Sequence, residues 1–136
     1  MPATGSQAVV TALAEAMNAR DIEAFVSLFA ADYDSRQPAH PDRAFRGPEQ
    51  VRKNWSAIFA GVPDFRAELV ATAGDEDSLF TEWRWHGTHE DGSRLEMAGV
   101  IVMGLLDGQI AWARLYVEPV EQGEGIEAAV RDMSGR

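Results

Sequence analysis

The sequence predicts an α+β domain with three N-terminal helices packed on a strongly curved, mainly antiparallel sheet, which forms a cone around an apolar pocket. Apolar residues first recur at helical spacing and then, from residue 65 onward, alternate with polar residues, so helices precede strands. The 136 residues match the usual size of one domain. We expect its core to span about residues 7–120 and to be followed by a polar tail at residues 121–136.

Three segments have the apolar spacing of helices. The first helix is predicted for residues 7–18, with Thr4 or Ser6 as its N-terminal cap. Asp21 caps a short second helix whose apolar residues, Ile22, Phe25, Val26 and Phe29, repeat the same spacing, and the segment after it is expected to be irregular. The third helix begins at Pro48, because proline is favoured in a first turn, and ends before the next proline.

The alternating part of the chain predicts four strands, at residues 65–73, 78–88, 94–106 and 109–120. The joints GDED, HEDG and LDG are turn sequences, so neighbouring strands should form hairpins and an antiparallel sheet. In the polar tail we expect at most one weak helical turn.

Three stretches of the chain resemble a known superfamily: NARDIEAFVSLFAADY, FRGPEQVRKNW and TEWRWHGTHEDGSRLEMAGVIVMGLLDGQIAWARLYVEP. Together they resemble the SnoaL-like branch of the nuclear transport factor 2-like superfamily, over about residues 7–120. The superfamily includes ketosteroid isomerase, limonene epoxide hydrolase and SnoaL-type polyketide cyclases. Because its members catalyse different reactions, the resemblance predicts the fold and no particular reaction.

The last hairpin, LDG, decides which face of the sheet lines the pocket. A loop of two residues would place Arg114 and Glu118 inside and make a charged pocket. A loop of three residues, with Gly108 left-handed and Leu105 paired with Gln109, would turn both outward and leave an apolar pocket. We favour the second, because the resemblance implies the same facing and because charged side chains are costly to bury.

With that facing, the predicted pocket is lined mainly by aromatic and aliphatic side chains. The strands supply Thr81, Trp83, Trp85, Met97, Gly99, Ile101, Ala113, Leu115 and Val117; the helices supply Leu13, Met17, Trp55 and Phe59; the segment after the second helix supplies Ser35 and Gln37. Such residues can also simply fill a core. The open end of a cone and the missing side chain of Gly99 favour a cavity, for an apolar ligand of about 20 non-hydrogen atoms.

The catalytic positions of the relatives hold residues that cannot do the same chemistry. Gln37 corresponds to the aspartate base of ketosteroid isomerase, and an amide takes no proton at neutral pH. The arginine and two aspartates of the epoxide hydrolase correspond to Trp83, Trp85 and Leu115. Neither reaction is therefore predicted.

Asp34 and His40 are the remaining candidates for proton transfer, because they lie on the segment expected to border the pocket mouth. Two functions stay open. The chain binds a small apolar or aromatic metabolite without assignable chemistry, or it is a cofactor-independent isomerase, cyclase or hydratase that uses Asp34 or His40.

The opposite face of the sheet combines charged side chains with an apolar patch. Its charged residues should form cross-strand pairs at an exposed or interfacial surface. Its apolar residues, which predict a homodimer packed sheet against sheet, are Val100, Val102, Trp112 and Tyr116.

Composition and charge exclude several other classes. A formal charge of −10 disfavours binding to nucleic acids and to anionic lipid. His86 and His89 are three residues apart at the end of a strand, a spacing that does not place both rings on one side, so no metal site is predicted. No cofactor is predicted either. With no cysteine, no secretory signal and no run of about 20 apolar residues, we expect a cytoplasmic protein without a membrane span.

Overall fold

The structure, a computed structural model, describes residues 5–135. Its elements are α1 (Gly5–Ala19), α2 (Ile22–Val26), β1 (Phe29–Arg36), a 3-10 turn (Pro41–Arg43), β2 (Phe45–Arg46), α3 (Pro48–Gly61), β3 (Arg66–Gly74), β4 (Ser78–Thr88), β5 (Arg94–Leu106), β6 (Gln109–Pro119) and α4 (Ile126–Ser134). Three helices precede a long antiparallel meander, so the predicted α+β class is confirmed.

The three N-terminal helices form where the apolar spacing predicts them. Helix α1 buries one face against the sheet, and Ser6 lies inside this helix, whereas Thr4 lies outside the described residues. The Asp21 carboxylate caps α2 by accepting a hydrogen bond from the backbone N–H of Ala24, at 3.1 Å. Helix α3 begins at Pro48 as predicted.

The six strands form one curved sheet in the order β2-β1-β6-β5-β4-β3. Every neighbouring pair is antiparallel except β1 and β6, which run parallel. The sequence did not predict β1: Phe29 was expected to continue the second helix, and the residues after it to be irregular. Strand β1 is stabilised by pairing with β6, about 80 residues later, and such a distant partner leaves no local pattern.

The hairpin between β5 and β6 has a two-residue loop. Leu106 pairs with Gln109, and both loop residues are left-handed, with φ of 53° at Asp107 and 76° at Gly108, as a type I′ turn requires. The expectation of a three-residue loop with Leu105 opposite Gln109 is therefore wrong. Gly108 does adopt the predicted left-handed conformation.

A β-bulge just beyond this turn offsets the two-residue loop, so that the same side chains of β6 face inward as a three-residue loop would have placed there. Leu105 pairs with Ile110 whereas Gly104 pairs with Trp112, so Ala111 is an extra residue in β6. The one-residue shift restores the predicted facing, with Ile101 opposite Leu115 and Gly99 opposite Val117. Consequently Ala113 and Val117 are buried, while Arg114 is exposed on the other face.

The C-terminal segment is more ordered than predicted. Instead of one weak turn, it forms the 9-residue helix α4, which ends at a left-handed Gly135. Its apolar residues Ile126, Val130 and Met133 are exposed. Across residues 5–135, no helix has both the length and the apolar character needed to span a bilayer.

Candidate ligand-binding cavity

A cavity of about 180 Å³ lies between the N-terminal helices and the concave face of the sheet. Its wall is mostly aromatic and aliphatic, and includes Leu13, Met17, Phe25, Phe29, Phe45, Val51, Trp55, Ile58, Trp83, Trp85, Ile101, Met103, Ile110, Ala113 and Leu115. The aromatic rings contact one another: ring centroids are 4.9 Å apart for Phe25 and Trp55, and 5.3 Å apart for Trp55 and Trp85. The cavity therefore has a packed, apolar wall.

Ten of the residues that the sequence predicts in the pocket wall line this cavity: Leu13, Met17, Ser35, Gln37, Trp55, Trp83, Trp85, Ile101, Ala113 and Leu115. Among the described residues the lining does not include Phe59, Thr81, Met97, Gly99 or Val117. A side chain at Gly99 would collide with the backbone of Tyr116 and Val117 in the neighbouring strand. Gly99 thus permits close strand pairing and does not enlarge the cavity.

Several lining residues were not proposed from the sequence. Phe29 and Tyr33 belong to β1, and Phe45 belongs to β2, two strands that were not predicted from the sequence. Asn54 lies on α3. The alternation of aromatic Tyr33 with Ser35 and Gln37 was the available signal, because alternate residues of a strand point to one face.

Tyr33 and Ser35 place hydroxyl groups on the buried face of β1. Burial raises the pKa of Tyr33 to about 12, and the negative charge of Asp34 acts in the same direction, whereas a hydrogen bond with Ser35 opposes it. Tyr33 is therefore protonated at neutral pH and can serve as a hydrogen-bond donor. It is the one ionisable group among the described lining residues, which include no Asp, Glu, His, Lys or Arg.

The two proton-transfer candidates lie away from the cavity wall. Asp34 is on the opposite face of β1, where its carboxylate accepts hydrogen bonds from Arg36 at 3.3 Å and Arg46 at 3.2 Å. His40 Nε2 lies 2.7 Å from Glu118 Oε1, at the outer surface of β6. Neither residue lines the cavity within the described part of the chain.

The two indole N–H groups in the wall differ in their partners. Trp83 Nε1 donates to the hydroxyl of Thr81 at 2.7 Å, and that hydroxyl donates to the carbonyl of Ile101 at 2.8 Å. Trp85 Nε1 is buried and has no acceptor among residues 5–135. Thr81, predicted as a ligand contact, instead satisfies and orients Trp83.

The lining residues that are only half-buried include Gln37, Asn54, Ile58 and Leu115, which indicates where the cavity opens. The two amides at this opening are held by neighbours: Gln37 Oε1 accepts a hydrogen bond from Arg43 at 3.0 Å, and Asn54 Oδ1 accepts one from Gln50 at 2.7 Å. The opening is thus more polar than the interior.

A sequence profile described as a SnoaL-like domain matches residues 10–113. The chain belongs to this family. The predicted relationship to SnoaL-like and nuclear transport factor 2-like proteins is confirmed. No curated protein matches the chain.

Solved structures with the same fold come from several bacteria. IdmH from Streptomyces antibioticus is 23% identical, with 85% of this chain and 93% of that chain covered and a TM-score of 0.73. A Mycobacterium tuberculosis protein in complex with estradiol-17beta-hemisuccinate is 18% identical, with 84% and 94% covered and a TM-score of 0.73. An LEH-like epoxide hydrolase from the same organism is 17% identical, with 84% and 83% covered and a TM-score of 0.72. At these identities the likeness shows the fold of this SnoaL-like domain alone.

Proposed function

We propose that this SnoaL-like domain binds a small, uncharged, mainly apolar molecule in the cavity between its helices and its sheet. The observation that carries this proposal is the wall itself: about 180 Å³ of space is bounded by aromatic and aliphatic side chains, and the only polar groups in the wall are neutral. Pockets for small organic molecules have this composition.

The volume limits the size of the ligand. An engineered apolar cavity of about 150 Å³ accepts benzene. A cavity of about 180 Å³ therefore suits a single aromatic ring with a short substituent, or an aliphatic molecule of similar size. The ligand of about 20 non-hydrogen atoms expected from the sequence exceeds this volume and would have to extend out through the opening of the cavity.

The wall also limits the charge of the ligand. Moving an ionised group from water to an apolar site is costly unless an opposite charge compensates it. The described lining residues offer no such charge, and Tyr33, with a pKa of about 12, is neutral at physiological pH. A neutral ligand is therefore favoured over a carboxylate or an amine.

The same features favour binding over proton-transfer catalysis. A general acid or base must reach the substrate and titrate near the working pH. Tyr33 reaches the cavity but titrates far above neutrality, whereas Asp34 and His40 lie outside the lining. The isomerase, cyclase or hydratase alternative thus has no supporting observation in the cavity.

Tryptophan fluorescence tests the proposal, because Trp55, Trp83 and Trp85 line the cavity. We expect single-ring aromatics such as toluene to change the emission saturably, and to do so at lower concentration than steroids. Ala113→Leu, which extends into the cavity, should weaken toluene binding by about tenfold or more. The matched control is Ala73→Leu, at an exposed position of β3, which should bind as the wild type does. Equal binding by both variants would contradict the proposed site.

A further inference from the structure

Trp83 and Trp85 lie two residues apart on the same face of β4, and both line the cavity. The indole N–H of Trp83 is paired with Thr81, but that of Trp85 is unpaired among the described residues. Trp85 is 7% exposed and its Nε1 atom is buried, so the N–H does not face bulk solvent. A buried donor without a partner destabilises a fold, and most buried donors in proteins are paired.

The surroundings of Trp85 explain why the protein supplies no acceptor. Its ring packs against Trp55, with centroids 5.3 Å apart and planes at 81°, and against Phe65, with centroids 6.0 Å apart. Those neighbours present hydrocarbon surface. Phenylalanine would fill an apolar wall without burying a hydrogen-bond donor. The extra N–H of tryptophan is useful at this position if a molecule bound in the cavity accepts its hydrogen bond.

We propose that the Trp85 indole N–H donates a hydrogen bond to the carbonyl oxygen of a neutral ligand whose remaining atoms are apolar. This inference rests on the proposed function, and it narrows the ligand class from apolar molecules in general to small aldehydes, ketones and esters. A carbonyl oxygen suits this position because it accepts a hydrogen bond and brings no donor that would need a partner of its own. A carboxylate would bring a charge that the wall does not compensate.

The test uses two ligands of nearly equal shape, acetophenone and α-methylstyrene, in which a carbonyl oxygen replaces a methylene carbon. Replacing Trp85 by benzothienylalanine keeps the size of the ring and substitutes sulfur for the N–H. Isothermal titration calorimetry should show that this replacement weakens acetophenone about tenfold relative to α-methylstyrene. The same replacement at Trp112, which lies outside the cavity, should leave the ratio of the two affinities unchanged.

Nuclear magnetic resonance of the indole N–H signals provides a second readout on the unmodified fold. Acetophenone should move the Trp85 proton signal downfield, and α-methylstyrene should not. An unchanged affinity ratio together with an unmoved Trp85 signal is the result expected if the ring face of Trp55 accepts the hydrogen bond instead, and it would overturn the inference while the proposed function stands. Failure of both ligands to bind the wild type would overturn the proposed function and this inference with it.

Discussion

Tyr33 is the ionisable group, among the described residues, whose pKa departs most from its ordinary value. It is buried on β1, beside the Asp34 carboxylate, and its pKa is raised to about 12 from the ordinary value of 10.0. The neutral phenol is therefore the stable form in the folded protein over the whole physiological range, and the cavity stays uncharged.

This raised pKa predicts a stability change at alkaline pH. Between pH 10 and about 12 the unfolded chain loses the phenolic proton while the folded chain keeps it, so the free energy of unfolding falls as the pH rises. The loss should approach about 2–3 kcal/mol, and stability should be insensitive to this group below pH 10. Urea unfolding of the wild type and of Tyr33→Phe at pH 10 and at pH 12 measures this loss as the difference between the two proteins. If both proteins lose the same stability between pH 10 and 12, Tyr33 is not perturbed in this way.

At the scale of secondary structure, the bulge in β6 decides which side chains reach the cavity. Gly104 pairs with Trp112 at this bulge, and a side chain at Gly104 would collide with the Trp112 indole. The pairing of residue 104 with Trp112 in this register therefore requires a residue without a side chain at position 104.

Gly104→Ala should therefore destabilise the fold by about 1–3 kcal/mol, because the inserted methyl group would overlap the Trp112 ring and force it to shift. Chemical denaturation measures the change. In the double variant with Trp112→Leu, whose side chain is smaller, most of that cost should disappear. Strictly additive effects of the two substitutions would contradict the contact.

Local pattern allowed the three N-terminal helices and the four meander strands to be predicted, whereas the inward facing of the sheet was chosen from the family resemblance and from the cost of burying charge. Asp21 caps its helix and Pro48 begins its own, both through interactions within a few residues. Strand β1 could not be predicted, because it depends on a parallel partner remote in sequence, and the cavity residues Phe29, Tyr33 and Phe45 were missed with it. The predicted facing of β6 is correct although the predicted loop length is wrong, because the bulge offsets the shorter loop.

At the scale of the whole molecule, the outer sheet face remains the surface for which we propose a homodimer. Tyr116 is 43% exposed there and Phe80 on β4 is 54% exposed, whereas Val102 is buried within the single chain. Arg84 and Glu82 flank this patch on β4, so two copies facing each other can pair opposite charges at its edge.

Phe80→Arg should convert the dimer to a monomer, because two copies of the substitution would bring like charges together in an apolar contact. Sedimentation velocity measures the change. Val130→Arg, which replaces an equally exposed residue on α4, is the matched control and should remain dimeric. A wild type that sediments as a monomer at all concentrations would refute the dimer.

The net charge of −10 and the uncharged cavity wall both act against anionic ligands. Calorimetric titration with benzaldehyde and with benzoate at neutral pH compares two single-ring molecules that differ little in size and by one unit of charge. Benzaldehyde should bind, and benzoate should bind at least about a hundredfold more weakly, because no group in the wall compensates its charge. Equal affinity for the two, or tighter binding of benzoate, would show that the cavity is not the neutral apolar site described above.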